Sequence, residues 1–208
     1  HILIAFDTGK PTHRHETYEN YKAGRKAMPE ELASQIPLIH ELIALLGIKD
    51  FSFDGYEADD IIGTLAKNAS KLDYKVDVYS SDRDLLQLVE ENITVHMLKQ
   101  GMKVVETYTP ETLLERYGLT HHQFVDLKAL MGDQSDNIPG VPGIGEKTGV
   151  TLLQKYGSLE NIIQSKEEIK GKLGENIRAN VEQALKNKKL STIMIDCTLP
   201  FEVSDTLL

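Results

Sequence analysis

The chain has 208 residues, of which 40% are hydrophobic and 26% are charged. Such a chain is typical of a globular protein with one sizeable core or a core plus a small module, and no apolar run approaches the ~20 residues that span a bilayer. The single cysteine, Cys197, excludes an internal disulfide and a cysteine zinc site, and it fits a cytoplasmic location.

Strands and helices alternate in the first half of the chain. Val76 and Val78 share one face of a predicted strand, while Pro29 and two glutamates mark the start of a helix that Gly47 ends. This alternation predicts an α/β fold with a mostly parallel central sheet flanked by helices. The predicted strands are Ile2–Phe6, Lys75–Tyr79 and Ile93–Met97, and the predicted helices are Pro29–Leu46, Ala58–Leu72 and Asp84–Val89.

Only helices are predicted after residue 108. We therefore expect an α/β core over residues 1–108 and a helical region over residues 109–208 that packs on the sheet. Because proteins rarely begin inside a buried strand, we also expect a further segment before His1 in the natural protein. The predicted helices are Pro110–Tyr117, His122–Leu130, Lys147–Tyr156, Ser158–Ile163 and Asn176–Lys186.

Acidic residues recur where predicted strands end or helices begin. Taken one at a time, each group is better explained as helix caps or turn residues. Taken together, they would fall at the carboxyl edge of one parallel sheet, where such dense negative charge needs cations to neutralise it. Their convergence would also reconcile a net charge of −9 with a partner that carries phosphates. The groups are Asp7; Glu57, Asp59 and Asp60; Asp82 and Asp84; and Asp133 and Asp136.

Carboxylate ligands favour hard cations, Mg²⁺ or Mn²⁺, and this number of carboxylates predicts two or more ions. Such a site suits hydrolysis of a phosphodiester, because one ion generates hydroxide and another stabilises the leaving oxygen. His13 and His15 lack the partners of a zinc site, and we expect them at the surface or facing a substrate. No Ser-His-Asp or Cys-His arrangement competes with this interpretation.

A glycine-rich turn, from Gly140 to Thr148, predicts a second site. Its glycines allow a tight turn whose backbone N–H groups point outward, and the helix that follows adds its positive pole. We interpret the segment as a helix-hairpin-helix type element that holds phosphates. Glu146 breaks the pattern of a nucleotide-binding P-loop, so a plain linker is the remaining alternative. The residues expected to bind are Gly143, Gly145, Lys147 and Thr148.

Basic and aromatic residues are interleaved between the first strand and the first long helix. This combination holds unpaired nucleic acid, because cations follow the backbone while rings stack on bases. Glu16 and Glu19 dilute the charge, so a solvated loop explains this stretch about equally well when it is taken alone. The stretch contains Lys10, Arg14, Tyr18, Tyr21, Lys22, Arg25 and Lys26.

Six short motifs contain these candidate residues. They lie at residues 5–7 (Ala-Phe-Asp), 14–16 (Arg-His-Glu), 21–25 (Tyr-Lys-Ala-Gly-Arg), 56–60 (Tyr-Glu-Ala-Asp-Asp), 81–88 (Ser-Asp-Arg-Asp-Leu-Leu-Gln-Leu) and 131–145 (Met-Gly-Asp-Gln-Ser-Asp-Asn-Ile-Pro-Gly-Val-Pro-Gly-Ile-Gly). Together they strongly resemble the bacterial 5′–3′ exonuclease family. That family includes the N-terminal domain of bacterial DNA polymerase I, stand-alone flap endonucleases and phage 5′ nucleases. The resemblance extends over essentially the whole chain.

The resemblance implies a PIN-like nuclease core whose acids form two metal clusters. Arg14 would contact the scissile phosphate region and act in catalysis together with Lys22, and the glycine-rich turn would grip the duplex backbone with a bound K⁺. The helical arch that admits a 5′ single strand would contain Tyr21, Lys22 and Arg25. The first metal cluster would be Asp7, Glu57, Asp59 and Asp60, and the second would be Asp82, Asp84, Asp133 and Asp136.

The implied activity is hydrolysis of DNA at 5′ ends, flaps and nicks, in primer removal during replication and in repair. Its substrates would be DNA with a 5′ single strand or flap and RNA–DNA primer junctions, and the protein would act as a monomer at the bacterial nucleoid. Family members begin with a further strand whose Asp completes the first metal cluster, so we expect this polypeptide alone to be weakly active or inactive. Two alternatives remain: a degenerate member that binds branched DNA without cutting it, and a metal-dependent RNase. The retained carboxylates count against the former, and the Gly140–Thr148 turn counts against the latter.

Overall fold

The structure is a computed structural model that describes residues 1–99 and 103–208. The chain divides into two compact units. The first unit combines His1–Tyr74 with Met194–Leu208, and the second unit is Lys75–Ile193. Within the described residues, no helix combines the length and the apolar character needed to cross a membrane.

A parallel pair of strands lies at the centre of the first unit. Leu3 is paired with Lys49 and Ala5 with Phe51, and the ladder continues through a hydrogen bond from the Phe6 N–H to the Phe51 carbonyl at 2.9 Å. The elements of this unit are β1 (Leu3–Ala5), α1 (His13–Thr17), α2 (Glu30–Ala33), α3 (Ile36–Leu45), β2 (Lys49–Phe51), α4 (Ala58–Lys71) and a 3-10 helix (Val203–Thr206).

Helix α4 confirms the helix predicted from Ala58. Glu57 is its N-cap residue, and the Asp60 side chain accepts the Glu57 backbone N–H at 3.1 Å. This bond gives a partner to a backbone N–H group at the start of the helix. Ile61, Ala66 and Ala69 are buried along one face, so the helix is anchored by both its cap and its apolar side.

The helix predicted over Pro29–Leu46 is divided in the structure into α2 and α3. Pro37 explains the division, because proline has no N–H to donate and its ring clashes with the carbonyl four residues earlier. The apolar stripe predicted for this helix is also only partly buried. Ile43 is buried, whereas Leu42 is exposed.

The second unit contains a sheet with the strand order β3-β4-β5. Strands β3 and β4 are parallel, and β4 and β5 are antiparallel. Alternate residues of β4 are buried, at Ile93, Val95 and Met97, as expected for a strand with one face on a core. The elements up to residue 117 are β3 (Val76–Ser80), a 3-10 helix (Arg83–Leu88), β4 (Ile93–Lys99), β5 (Val104–Tyr108) and α5 (Pro110–Tyr117).

Helix α6 is central to the rest of the second unit. Phe124, Leu127 and Leu130 are buried in it, and it packs against α7, α8, α10 and the 3-10 helix. The remaining elements are α6 (His121–Met131), β6 (Gly132–Asp133), β7 (Ile138–Pro139), α7 (Glu146–Tyr156), α8 (Leu159–Gln164), α9 (Gly171–Ala179) and α10 (Val181–Ser191).

Two features of this helical region differ from the prediction. The helix predicted over Asn176–Lys186 is replaced by α9 and α10, which meet at Asn180. The Asn180 side chain donates to the Asn176 carbonyl at 2.7 Å, a local bond that competes with continued helix. In addition, β6 and β7 form a short antiparallel ladder in a region predicted to hold only helices.

The α/β fold class is confirmed. Parallel pairing is present in β1–β2 and in β3–β4, and helices flank the strands. A helical region follows β5, as predicted.

Candidate functional site

Arg14 and Asp60 form a buried ion pair in the first unit. Arg14 Nη1 and Nη2 donate to the two carboxylate oxygens of Asp60, each at 2.7 Å. Asp60 is 0% exposed, and it also accepts the backbone N–H groups of Glu57 at 3.1 Å and Met194 at 2.9 Å. Burial alone would raise the pKa of Asp60, but the hydrogen bonds and charge of Arg14 lower it below its usual range.

In this structure Arg14 and Asp60 are each other's partners, and their predicted roles in catalysis and in metal binding stay predictions. Both oxygens of Asp60 accept from protein donors, so the carboxylate is not presented to a metal ion. Arg14 is 3% exposed, and its guanidinium is held by Asp60. The sequence pattern could not distinguish a surface arginine from this buried partner.

Glu57 lies between two cations. Its Oε1 is 2.8 Å from Lys22 Nζ, and its Oε2 is 3.5 Å from Arg14 Nη1 and accepts the Tyr21 hydroxyl at 3.2 Å. The Lys22 backbone has a φ of 57°, in the left-handed region that a residue with a side chain rarely adopts. Protein cations therefore neutralise Glu57 in this structure, and the turn that carries Lys22 is held in a strained conformation.

An open cavity of about 270 Å³ lies next to these side chains in the first unit. The exposed Asp7 follows β1, and its Oδ1 accepts the Ala58 N–H at the start of α4 at 2.8 Å. Asp59 is half-buried in the first turn of the same helix. The cavity wall combines both signs of charge, as a site for a phosphate and its counter-ions requires. The predicted functional residues in that wall are Asp7, Lys22, Arg25 and Glu57.

The first predicted metal cluster does not converge in this structure. Within residues 1–99 and 103–208, Asp7, Glu57, Asp59 and Asp60 do not supply a group of three carboxylates close enough to share an ion. The physical reason is the set of partners just described. Asp60 and Glu57 are paired with basic side chains, and one oxygen of Asp7 accepts a helix N–H.

Three of the four acids predicted for the second cluster do converge. One oxygen from each of Asp84, Asp133 and Asp136 lies within 4.8 Å of the others. Asp84 belongs to the 3-10 helix, Asp133 to β6, and Asp136 to the turn between β6 and β7. Asp133 Oδ1 is fixed by the N–H of Ser135 at 2.8 Å and by its hydroxyl at 2.6 Å. An all-oxygen donor set of this kind fits a hard divalent cation.

Two glycines allow the β6–β7 ladder to form. A Cβ atom on Gly132 would lie 2.3 Å from the backbone nitrogen of Gly140, and one on Gly140 would lie 2.1 Å from the Met131 carbonyl oxygen. Both distances are far too short for a side chain, so close backbone approach fixes where Asp133 and Asp136 emerge.

Asp82 has a different role from the three converging acids. Its Oδ1 accepts the Asp84 N–H at 2.9 Å, which caps the 3-10 helix, and its side chain is exposed. This is the ordinary role of aspartate at a helix start. Asp82 does not join the carboxylate group among the described residues, although its charge still acts on Asp84.

Lys128 contacts the carboxylate group, and the sequence patterns do not single it out. It lies in the last part of α6, and its ammonium contacts both Asp84 Oδ1 and Asp133 Oδ2. Burial raises the pKa of Asp84 to about 6, with Lys128 opposing the rise, whereas Lys128 and Ser135 overcome the effect of burial and lower the pKa of Asp133 to about 2. Its position five residues before Asp133 was the available signal, but a lone lysine at a helix end is common.

The predicted phosphate-binding turn begins α7. Gly143 has a φ of 80°, and a Cβ on Gly145, the N-cap residue, would meet nothing within 4 Å. Asn176 Nδ2 donates to the Pro142 carbonyl at 2.8 Å and holds the turn. Gly143, Gly145 and Lys147 are exposed and Thr148 is half-buried, so the backbone N–H groups at the start of the helix are open to a ligand.

The whole chain matches two protein-family models. Residues 1–118 match the family model of the 5′–3′ exonuclease N-terminal resolvase-like domain, and residues 119–208 match that of the 5′–3′ exonuclease C-terminal SAM fold. DNA polymerase I of Bacillus caldotenax is 52% identical over 206 residues, which are 99% of this chain and 24% of the polymerase. This chain thus spans about a quarter of the length of that relative.

Two solved structures are similar over most of the chain. The T5 D15 protein co-crystallised with metal ions has a TM-score of 0.77 and 27% identity, with 93% of this chain and 75% of that chain covered. The bacteriophage T5 D15 flap endonuclease in a pseudo-enzyme-product complex with DNA and metal ions has a TM-score of 0.76 and 26% identity, with 93% and 73% covered. With the two family models covering residues 1–208, the chain belongs to the 5′–3′ exonuclease family.

Proposed function

We propose that this chain is a metal-dependent 5′ nuclease that hydrolyses phosphodiester bonds at DNA 5′ ends, flaps and nicks. The observation that carries the proposal is the convergence of Asp84, Asp133 and Asp136, in a chain that belongs to the 5′–3′ exonuclease family. The T5 flap endonuclease complex with DNA and metal ions supports the same activity. The work of the enzyme would be primer removal in replication and DNA repair.

The cofactor in this proposal is Mg²⁺ or Mn²⁺ at two or more sites. Asp84, Asp133 and Asp136 would hold one ion, and Asp7, Glu57 and Asp59 would contribute to another. A divalent ion supplies a nucleophile at neutral pH and stabilises negative charge on the leaving oxygen. Asp60 keeps Arg14 in place, and Asp82 keeps Asp84 in place by capping its helix.

Substrate binding would use both units without reading base sequence. The cavity of the first unit offers Lys10, Lys22 and Arg25 to a 5′ single strand, with Lys22 nearest a ligand carboxylate and Tyr21 beneath it. In the second unit, the turn of Gly143 and Gly145 would grip duplex phosphates, assisted by a K⁺ ion, Lys147 and Thr148. Contacts of this type position a duplex but carry no sequence information.

The setting of the proposed activity follows from the bacterial relatives. The chain would act on DNA flaps and RNA–DNA primer junctions at the nucleoid in the cytoplasm, as a monomer. It would do so either as part of a DNA polymerase I or as a stand-alone flap endonuclease.

The test is cleavage of a labelled 5′-flap duplex by the complete protein that carries this chain, with Mg²⁺ and with a chelator. We expect cutting only with Mg²⁺, and we expect the double change Asp84→Asn with Asp133→Asn to abolish cutting while leaving flap binding largely intact. Lys188→Met, which removes a bridging lysine elsewhere in the second unit, is the matched control and should cut normally.

Flap binding without cutting by the unchanged protein in Mg²⁺ would contradict the proposal. That result would favour a degenerate module that binds branched DNA. Equal cutting in the chelator would remove the metal from the mechanism.

A further inference from the structure

Lys128 lies inside the carboxylate cluster. Its ammonium bridges Asp84 and Asp133, two of the three residues whose oxygens lie within 4.8 Å of one another. An ammonium carries three donors and no acceptor, so its natural partners are the same oxygens that a metal ion would use. The lysine head group therefore occupies the space in which a cation would be coordinated.

We infer that Lys128 is a built-in counter-ion that a divalent cation must displace, so that Lys128 sets the metal affinity of this cluster. The inference rests on the proposed function, since it assumes that Asp84, Asp133 and Asp136 bind a divalent ion. Two cations held a few ångströms apart in a partly buried site repel each other, and the divalent ion has the larger charge.

The Lys128 ammonium can move from the carboxylate cluster into water. The Lys128 side chain is 23% exposed, and a lysine stem is long and flexible enough to remain packed while its head group moves into water. Asp133 would stay in place when the lysine leaves, because Ser135 and the β6–β7 ladder fix it independently. The ligand geometry therefore survives the displacement.

The experiment measures binding of Mn²⁺ alone to the complete protein, by calorimetry and by electron paramagnetic resonance. Asp136→Asn identifies the site, because the binding step that it removes belongs to this cluster. Lys128→Met and Lys128→Gln should each bind Mn²⁺ at that site more tightly, by on the order of 10-fold or more, which is the scale of changes next to metal ligands. Lys128→Arg keeps the charge and should leave the affinity within about 3-fold.

Lys188→Met is the matched control for removing a lysine that bridges two acids. Lys188 contacts Asp126 and Glu160 in the same unit, and its side chain is 31% exposed. We expect its Mn²⁺ affinity to equal that of the unchanged protein.

A second readout separates a counter-ion from a merely structural lysine. In a chelator, Lys128→Met should melt at a lower temperature than the unchanged protein, because Asp84 and Asp133 lose their neutralising partner. With saturating Mn²⁺, the melting temperatures of the two proteins should become equal. If Lys128 were only a structural residue, the difference in melting temperature would be the same with and without Mn²⁺.

Mn²⁺ binding at the cluster that is unchanged or weaker in both neutral variants would overturn the inference alone, because the unchanged protein would still bind the ion there. Failure of Asp136→Asn to remove any Mn²⁺ from the unchanged protein would overturn the inference together with the proposed metal site.

Discussion

Arg14→Met should destabilise the protein strongly, even though arginine at this position was predicted to serve catalysis. The change leaves Asp60 fully buried with the backbone N–H groups of Glu57 and Met194 as donors, so its negative charge loses its main compensation. Removing one partner of a buried pair typically costs about 3–5 kcal/mol. For a chain of this size the corresponding fall in melting temperature is roughly 6–20 °C.

The assay is urea unfolding at neutral pH, followed by circular dichroism, with thermal melts in parallel. Lys10→Met is the matched control, because the Lys10–Asp54 pair is 2.6 Å long, close to the 2.7 Å of Arg14–Asp60, but has side chains 63% and 62% exposed. Exposed pairs contribute about 0–1 kcal/mol, so the control should unfold almost normally. Adding Asp60→Asn to Arg14→Met removes the stranded charge and should recover at least about 1 kcal/mol.

Acid unfolding gives an independent check on the same pair. The pKa of Asp60 is lowered in the folded protein, so its contribution is present above the ordinary aspartate pKa of about 4 and is lost as the pH falls through the lower folded value. The Arg14→Met variant should lack that loss. A cost under about 1 kcal/mol for Arg14→Met, or a double variant as unstable as the single one, would refute the structural role of the pair.

Further predictions concern the substrate path, the carboxylate cluster and the packing of α9. Lys22→Ala should slow flap cleavage and reduce the salt dependence of DNA binding by roughly one phosphate contact, and an unchanged slope in a salt titration would remove it from the path. The raised pKa of Asp84 means that its ionisation costs stability in the folded protein. In a chelator, Asp84→Asn should therefore gain on the order of 2 kcal/mol relative to the unchanged protein as the pH rises from about 4 to about 6, with little further change above that. Gly174→Ala should cost more than about 2 kcal/mol in urea unfolding, since its Cβ would lie 1.7 Å from the Ile169 carbonyl oxygen, whereas Gly145→Ala, with open space, should cost under about 1 kcal/mol. Equal costs for the two glycine changes would contradict the packing argument.

Local patterns predicted most of the elements and the family. The period of apolar residues located α4, α5 and α7 to within one residue at every end, because helix boundaries depend on caps and prolines that are read directly from the sequence. Pro37 marks the division between α2 and α3, which the period of apolar residues alone does not show. The break at Asn180 was harder to foresee, since it depends on one side-chain hydrogen bond.

The sequence indicates which acidic residues belong to a candidate site more readily than it indicates what each of them contacts. Asp84, Asp133 and Asp136 follow strand ends and tight turns, which are local features, and the structure gathers them. Whether a given carboxylate meets a lysine, an arginine or open space depends on contacts far apart in sequence. Arg14 meets Asp60 across 46 residues, and no periodicity encodes that pairing. It remains a prediction that both acid clusters join in a single pocket and that a domain boundary lies at residue 108. The sets of residues that bind each metal ion also remain predictions.

The short ladder of β6 and β7 has a consequence for how metal and rigidity are coupled. Asp133 and Asp136 are spaced by that tight local fold, whereas Asp84 arrives from a segment 49 residues earlier (133 − 84 = 49). An ion bound by all three carboxylates would cross-link the two ends of this long loop. Such a cross-link lowers the conformational freedom of the segments that carry the ligands. Removal of the ion should therefore destabilise the 3-10 helix that contains Asp84 more than it destabilises the β6–β7 hairpin. Proteolytic cleavage near residues 83–88 would then report that the metal site is empty.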